Sequence, residues 1–280
     1  MKKVVLTSLL AVFAVSGANA ANVINNNPLY RPEKGNFYSV TGLESQTNTE
    51  LFGDKGSKQV KISEEFGYSF AKWWTATVKT SLSESDWFDG KDWNDLSVNV
   101  AYRAVEKNNW IADIFGGYGV DSVRADHNVM LDKDLTFYTW TAGVRGGYAT
   151  ANWTVAGHAS FDYTNSESFN WDEGFKFNKD TEHHDRISAH WMHFGIDGQL
   201  VLNQYWNLVA GAEYNVNYDE WSTHGSYWKG TLGANLNLDE TKFVGVYVNK
   251  YMARDIENEE AGNWKVADGF EFGVKFGIDF

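Results

Sequence analysis

Hydrophobic and polar residues alternate strictly over the last eleven positions of the chain. Apolar residues occupy every second position from Phe270 to Phe280, and charged residues or glycine occupy the positions between them. Successive side chains of a β-strand point to opposite faces, so this strand has one apolar face and one polar or small face. Such a strand is typical of a wall between lipid and a water-filled lumen.

Alternating segments recur along the chain after residue 35 and predict twelve strands. These strands lie near 36–46, 58–70, 73–84, 94–104, 110–121, 135–149, 152–164, 188–202, 205–218, 227–238, 242–252 and 269–280. Short turns alternate with long loops between them. This arrangement predicts an all-β fold, a transmembrane antiparallel up-and-down β-barrel of about 12 strands with both termini periplasmic.

Three places do not fit the alternation cleanly. In 36–46 neither face is clearly apolar, and in 242–252 three valines oppose three aromatic residues, so the facing is ambiguous. Glu64 falls on an otherwise apolar face of its strand. Either the register there is shifted or a bulge intervenes.

The terminal strand, which closes on an aromatic residue, resembles the last strand of Gram-negative outer-membrane β-barrels. In size and loop plan the chain is similar to small twelve-stranded porins. The resemblance implies an outer-membrane location, contact with lipid and lipopolysaccharide, and recognition of the C-terminal strand by the barrel-assembly machinery. We expect the protein to be monomeric.

Aromatic residues are abundant and mark the starts of several strands. The chain has 13 Trp, 14 Tyr and 18 Phe, and strands that follow short turns tend to begin with a ring. Amphipathic rings favour the membrane–water boundary, so we expect a girdle at the inner headgroup level. The predicted girdle residues are Trp74, Trp110, Trp153, Trp206 and Phe280.

The N-terminal residues have the pattern of an export signal. Lys2 and Lys3 precede an apolar run over 4–15, and an Ala-x-Ala site ends at residue 20. This predicts a signal peptide over 1–20, cleaved to expose Ala21. A retained anchor helix is the alternative, but the run is well short of the ~20 residues that a span needs. Residues 21–35 then form an extended leader at the periplasmic rim, and 36–280 form the barrel.

Composition narrows the possible functions. Cysteine is absent, so neither disulfides nor thiol chemistry are available. Cleavage after residue 20 leaves 22 basic residues against 37 acidic ones, a net charge of −15, which argues against a nucleic-acid partner. We expect no cofactor, since no phosphate-binding glycine loop is present.

The polar face of the predicted strands carries a nearly balanced set of charges. The predicted pore-lining residues are Lys61, Glu65, Lys79, Arg103, Asp113, Arg145, His158, Asp162, His193, Asp197, Glu213, Lys229, Glu271 and Lys275. These charges either line a water-filled channel and set its selectivity, or pair across the lumen and fill it. We expect a channel for passive diffusion of ions or small polar solutes. The alternative is a closed structural or adhesive barrel that acts through its acidic, aromatic loops.

The distribution of lumen charges suggests a transverse field. Bases dominate the third to sixth strands, with Arg103, Arg145 and Lys79, whereas acids dominate the seventh to ninth strands. We hypothesise that the two sectors face each other across the lumen. If so, neutralising both arginines changes ion selectivity.

Catalysis and metal binding receive little support from the sequence. Ser188 and His190 share a strand face, as an outer-membrane lipase would need, but no orienting acid or amide is evident. The pair His183 and His184 lies in the longest loop without zinc-like spacing. We therefore expect neither an enzyme nor a metal site.

Overall fold

The structure is a computed structural model with fourteen strands in the part of the chain that it describes. It describes residues 27–47, 59–84, 92–123, 134–169, 188–217, 226–253, 255–258, 262–265 and 269–280. The strands are β1 (Phe37–Thr47), β2 (Gln59–Ala71), β3 (Trp74–Glu84), β4 (Asp92–Lys107), β5 (Trp110–Val123), β6 (Asp134–Ala149), β7 (Trp153–Phe169), β8 (Ser188–Val201), β9 (Trp206–Asn217), β10 (Ser226–Asn237), β11 (Lys242–Ala253), β12 (Asp255–Asn258), β13 (Gly262–Lys265) and β14 (Gly269–Asp279).

Twelve of these strands form a closed antiparallel barrel. Each strand pairs with its neighbours in sequence, and β14 closes the barrel by pairing with both β11 and β1. The predicted all-β fold and strand number are therefore confirmed. Closure leaves no open sheet edge, which is the condition for β-structure to cross lipid. The short strands β12 and β13 make a separate two-stranded ribbon within a segment that the sequence predicted as loop.

The short connections all lie at one end of the barrel, which we call the turn end; the opposite end is the loop end. The first barrel strand begins and the last barrel strand ends at the turn end. There the backbones of Phe37 and Phe280 exchange hydrogen bonds of 3.3 and 2.8 Å. The rings of these two residues stack with centroids 4.5 Å apart. This contact fixes the barrel seam next to the chain end.

The outer face of the barrel exposes a belt of large hydrophobic side chains. Leu232, Ile114 and Trp140 are each more than half exposed, and the facing predicted for most strands agrees with the exposure. A continuous apolar surface of this kind suits lipid and not water. In the part of the chain described, no helix is long and apolar enough to span a membrane.

Strand β11, whose facing was ambiguous, directs its aromatic residues inward. Phe243 is 0% exposed and Tyr247 is buried, whereas Val246 lies on the outer face. The rings fit because glycines face them on β14: a Cβ added to Gly277 would lie 2.0 Å from the Phe243 ring. A period-two pattern alone could not reveal this, since both faces of β11 are hydrophobic.

The predicted girdle residues lie at the turn end in clusters of rings. Trp110 packs edge-on against Tyr148, which in turn stacks on Trp153. The ring centroids of Trp74 and Tyr102 lie 4.9 Å apart. Together with exposed Trp206, these rings surround the turn end of the outer face.

Candidate functional site

A buried carboxylate between two arginines forms an ionic cluster on the inner face. Asp113 is 2% exposed and accepts hydrogen bonds of 2.8 Å from Arg103 Nε and 2.8 Å from Arg145 Nε. Arg103, 5% exposed, reaches the same carboxylate again through Nη2 at 3.3 Å. Two permanent positive charges against one negative charge leave this cluster with a net positive charge.

A second cluster joins β1, β2 and β3. Lys79 Nζ lies 2.7 Å from Glu65 Oε2, and the Tyr38 hydroxyl donates to Glu65 Oε1 at 2.7 Å. Tyr38 is buried, whereas the Lys79 side chain is 53% exposed. The Lys79 ammonium group therefore remains in contact with solvent inside the barrel, although its partner Glu65 is also bound by Tyr38.

The predicted acidic sector, on β7 to β9, is organised around two histidines. His158 lies 3.2 Å from Asp197 and 3.2 Å from Glu213, so its ring bridges two carboxylates. His193 contacts Asp162 at 3.2 Å. These carboxylates therefore have histidine partners one or two strands away.

The remaining predicted residues lie on β2, β10 and β14. Glu271 is buried and accepts hydrogen bonds from Asn249 and Tyr251. Lys229 and Lys275 lie over the rings of Tyr251 and Tyr247. Lys61 pairs in register with Glu44 of β1. Aromatic rings thus supply much of the inner surface on this side.

Residues 27–36, which we call the N-terminal cap, fold into the turn end of the lumen. Leu29 is 2% exposed, and its carbonyl accepts a 2.8 Å hydrogen bond from Arg103 Nη2. The Pro32 carbonyl accepts from Ser69 Oγ at 2.8 Å, and Gly35 N–H donates to the Ser69 carbonyl at 2.8 Å. The described part of the segment expected as an extended leader at the rim, residues 27–35, thus lies against the inner wall.

The side chains of the cap strengthen this attachment. The Tyr30 hydroxyl hydrogen-bonds Asp279, and its ring packs edge-on against Tyr38. Burial, with the Asp279 contact adding to it, raises the pKa of Tyr30, so the hydroxyl stays neutral and remains a donor. Arg31 lies 3.6 Å from Glu106 and 5.8 Å from the centre of the Trp73 ring. The cap is therefore bound through backbone, hydroxyl and charged groups together.

Next to the cap lies a cavity of about 350 Å³, which is lined by charged residues from both the basic and the acidic sector. Pro28 and Tyr30 contribute to its lining from the cap. Lys79 and Arg145 line it from one sector, and Asp197 from the other. The Asp197 side chain is 43% exposed, so this cavity presents both signs of charge to solvent.

The sequence suggested that bases and acids face each other across the lumen, but in the structure these bases pair with acids on adjacent strands. Arg103 and Arg145 both bind Asp113 on the strand between them, and Lys79 binds Glu65. The cavity is lined by charges of both signs, with Glu65 beside Lys79 and His158 beside Asp197. Sequence reasoning missed the cap and the inward rings; the two prolines ahead of the first strand mark only an irregular segment.

The catalytic and metal candidates gain no assembled site among the residues described. His190 lies on the outer face, with its ring 5.0 Å from Tyr163 and 6.0 Å from Phe161. His183 and His184 lie outside the described residues. In the described part of the chain, no group of three or more potential ligands could hold a metal ion.

Comparison with known proteins gives the class of fold. No protein-family model and no curated protein matches the chain. Among solved structures, the NanC porin matches with a TM-score of 0.52 at 9% identity, over 87% of this chain and 98% of that one. The translocator domain of the autotransporter NalP from Neisseria meningitidis matches with a TM-score of 0.54 at 12% identity, over 90% of each chain.

An outer-membrane channel from Pseudomonas putida F1 matches with a TM-score of 0.51 at 12% identity, over 90% of this chain and 98% of that one. The chain therefore has the fold of twelve-stranded outer-membrane β-barrels. Since porins, a channel and a translocator share this fold, function has to be argued from the lumen.

Proposed function

We propose that the protein is a channel in the outer membrane of a Gram-negative bacterium, through which ions or small polar solutes diffuse passively. The observation that carries this proposal is the solvent exposure of charged side chains inside the barrel. Lys79 and Asp197 are about half exposed beside a cavity lined by polar and apolar groups together. A lumen filled by its own side chains would bury such charges, whereas a water-filled lumen keeps them hydrated.

The outer face supports the membrane location. Its belt of exposed hydrophobic side chains and the rings at the turn end suit a bilayer with its interfaces. In this proposal the turn end faces the periplasm and the loop end faces outside, after export by the N-terminal signal. The cap then lies at the periplasmic mouth and narrows it.

The cap also favours a second candidate, a closed structural barrel. Leu29 and Pro32 are buried at the turn end, where a conducting path would have to pass. Under this alternative the lumen charges serve only to stabilise the barrel, and any activity lies in the loops. The two candidates differ in conductance.

The experiment is to refold the chain from residue 21 and confirm a heat-modifiable band on a gel. Single-channel currents are then recorded in a planar bilayer under a salt gradient. Discrete current steps are expected, and the reversal potential reports which sector governs selectivity. Well-folded protein that gives no steps would contradict the channel and support the closed barrel.

A further inference from the structure

The cavity next to the cap has a lining whose formal charges balance. Lys79 and Arg145 contribute two positive charges, and Glu65 and Asp197 contribute two negative charges, with His158 counted as neutral. A binding surface and its ligand have complementary charges. A balanced lining therefore suits a solute that carries one charge of each sign and is neutral overall.

Both cations of the cavity have donors to spare. Arg145 donates through Nε to Asp113 at 2.8 Å, and its two Nη groups have no hydrogen-bond or ion-pair partner among the described residues. Lys79 Nζ, which has three donors, contacts Glu65 at 2.7 Å. The Arg145 side chain is 32% exposed. A guanidinium with both Nη groups available presents the planar fork that binds a carboxylate in two places.

The two carboxylates of the cavity differ in what they already bind. Glu65 uses Oε2 for Lys79 and Oε1 for the Tyr38 hydroxyl, so both of its oxygens have partners. Asp197 uses Oδ2 for His158 at 3.2 Å, and its Oδ1 has no polar partner within the described part of the chain. Asp197 is therefore the carboxylate that can accept an ammonium group from a solute.

The strand register brings Arg145 and Asp197 to one stretch of the wall. Arg145 of β6 pairs with His158 of β7, and His158 pairs with Gly195 of β8. Asp197 lies two residues beyond Gly195 and on the same face. Two strand spacings and two residues separate the backbones of Arg145 and Asp197 by roughly 12 Å. Since both side chains line the same cavity, one small molecule can contact both.

The rest of the lining limits the size and polarity of the solute. Ala101 and Phe115, which pair in register, and Ala156 add hydrocarbon to the lining, and Pro28 and Tyr30 of the cap line it from the turn end. A volume of about 350 Å³ has room for roughly a dozen water molecules. It suits a solute of about ten non-hydrogen atoms with a hydrocarbon part.

We propose that this cavity binds the zwitterion of an α-amino acid with an apolar side chain. The carboxylate of the amino acid binds the Nη groups of Arg145, its ammonium group binds Asp197, and its side chain packs against Phe115. This inference deepens the proposed function and rests on it, because a solute reaches the cavity through the water-filled lumen.

Removal of one charged group at a time from the solute tests this recognition. The probes are L-leucine, isocaproate, which lacks the ammonium group, and isoamylamine, which lacks the carboxylate. Isothermal titration calorimetry measures their binding to the folded chain from residue 21 in a nonionic detergent. Each charged contact contributes a factor of about ten, so leucine is expected to bind about tenfold more tightly than either analogue. Equal affinities of the three probes, or no binding of leucine, would overturn the proposal.

Substitutions in the wall should reproduce the same pattern. Asp197→Asn is expected to weaken leucine binding about tenfold without weakening isocaproate, because only leucine has the ammonium group. Arg145→Gln is expected to weaken leucine and isocaproate but not isoamylamine. If Arg145→Gln fails to fold, Arg145→Lys keeps the charge but loses the fork, and severalfold weaker binding of leucine and isocaproate is expected.

The matched control is Asp162→Asn. Asp162 also lies 3.2 Å from a histidine of a neighbouring strand, but it does not line the cavity. Leucine affinity is therefore expected to change less than twofold. All variants are first shown to be folded by heat modifiability. Equal weakening by Asp162→Asn and Asp197→Asn would overturn the assignment of the ammonium site.

Calorimetry and conductance together separate this proposal from the channel itself. Leucine added to a conducting channel is expected to reduce the mean current, and to reduce it less in Asp197→Asn. Current steps from protein that binds no leucine would overturn the amino-acid site and leave the channel standing. Leucine binding with the expected pattern by protein that passes no current would support the site and overturn the channel.

Discussion

The turn end of the lumen is packed, whereas its middle is open to water. At the turn end the N-terminal cap buries Leu29 and Pro32 against the inner wall, and Asp113 is buried between two arginines. In the middle, Lys79 and Asp197 remain about half exposed beside the cavity. The same barrel wall surrounds both regions. The packing of the turn end therefore comes both from the ten residues that precede the first strand and from buried inward side chains of the strands, such as Phe243 and Asp113.

Removal of the cap should have the largest effect on this contrast. A refolded chain that begins at Lys34 lacks the segment that fills the turn end, so we expect single-channel conductance to rise severalfold. The chain refolded from residue 21 is the reference. Equal conductance from two equally heat-modifiable proteins would show that the cap does not restrict the path.

The contrast explains what the sequence could and could not predict. The period-two alternation predicted the wall, because each barrel strand separates an apolar from a polar environment and leaves that pattern in its residues. The cap leaves no such pattern. Its attachment depends in part on backbone carbonyls of Leu29 and Pro32, which any sequence possesses.

The ion pairs were only partly predictable for a similar reason. Alternation placed Arg103, Asp113 and Arg145 on one face, but their contacts depend on which positions of neighbouring strands lie side by side. Asp113 pairs in register with both arginines, and that register is fixed by the turns and by the bulge beyond Arg103. On β11, inward Phe243 required Gly277 opposite it on β14. Single-strand patterns do not contain such relations between strands.

The second largest effect is expected from the buried ion pair at the turn end. Arg103→Met removes one of two partners of a carboxylate that is 2% exposed, and it also removes the donor to the Leu29 carbonyl. We expect the free energy of unfolding to fall by about 3 kcal/mol, measured by urea titration in lipid vesicles.

The matched control is Lys79→Met in the middle of the lumen. Its ion pair is formed by a half-exposed lysine, so its loss should change the free energy of unfolding by about 1 kcal/mol or less. Equal destabilisation by the two substitutions would contradict the distinction between a packed turn end and a wet middle.

A smaller effect is expected on selectivity in the middle of the lumen. Lys79→Gln removes a positive charge from one side of the cavity, and Asp197→Asn removes a negative charge from the other. The reversal potential under a salt gradient should therefore shift toward cation preference in the first variant and toward anion preference in the second. Shifts of the same sign, or none in either variant, would show that ions do not pass this cavity.

The smallest effect is expected from a single hydrogen bond of the cap. Ser69→Ala removes the donor to the Pro32 carbonyl, which is worth about 1 kcal/mol, and its contact with Thr75 Oγ1 at 2.9 Å. If the cap exchanges between bound and released states, this loss raises the released fraction about fivefold, seen as more frequent openings to the higher conductance of the cap-deleted channel. Ser81→Ala is the matched control, because Ser81 is similarly buried on the inner face but its hydroxyl has no hydrogen-bond partner among the described residues. Since both substitutions remove one buried hydroxyl from neighbouring strands, a difference in opening frequency between them reports the bonds that the Ser69 hydroxyl makes to the cap and to Thr75. Equal opening frequencies would mean that the cap is held by Arg103 and Tyr30 without help from Ser69.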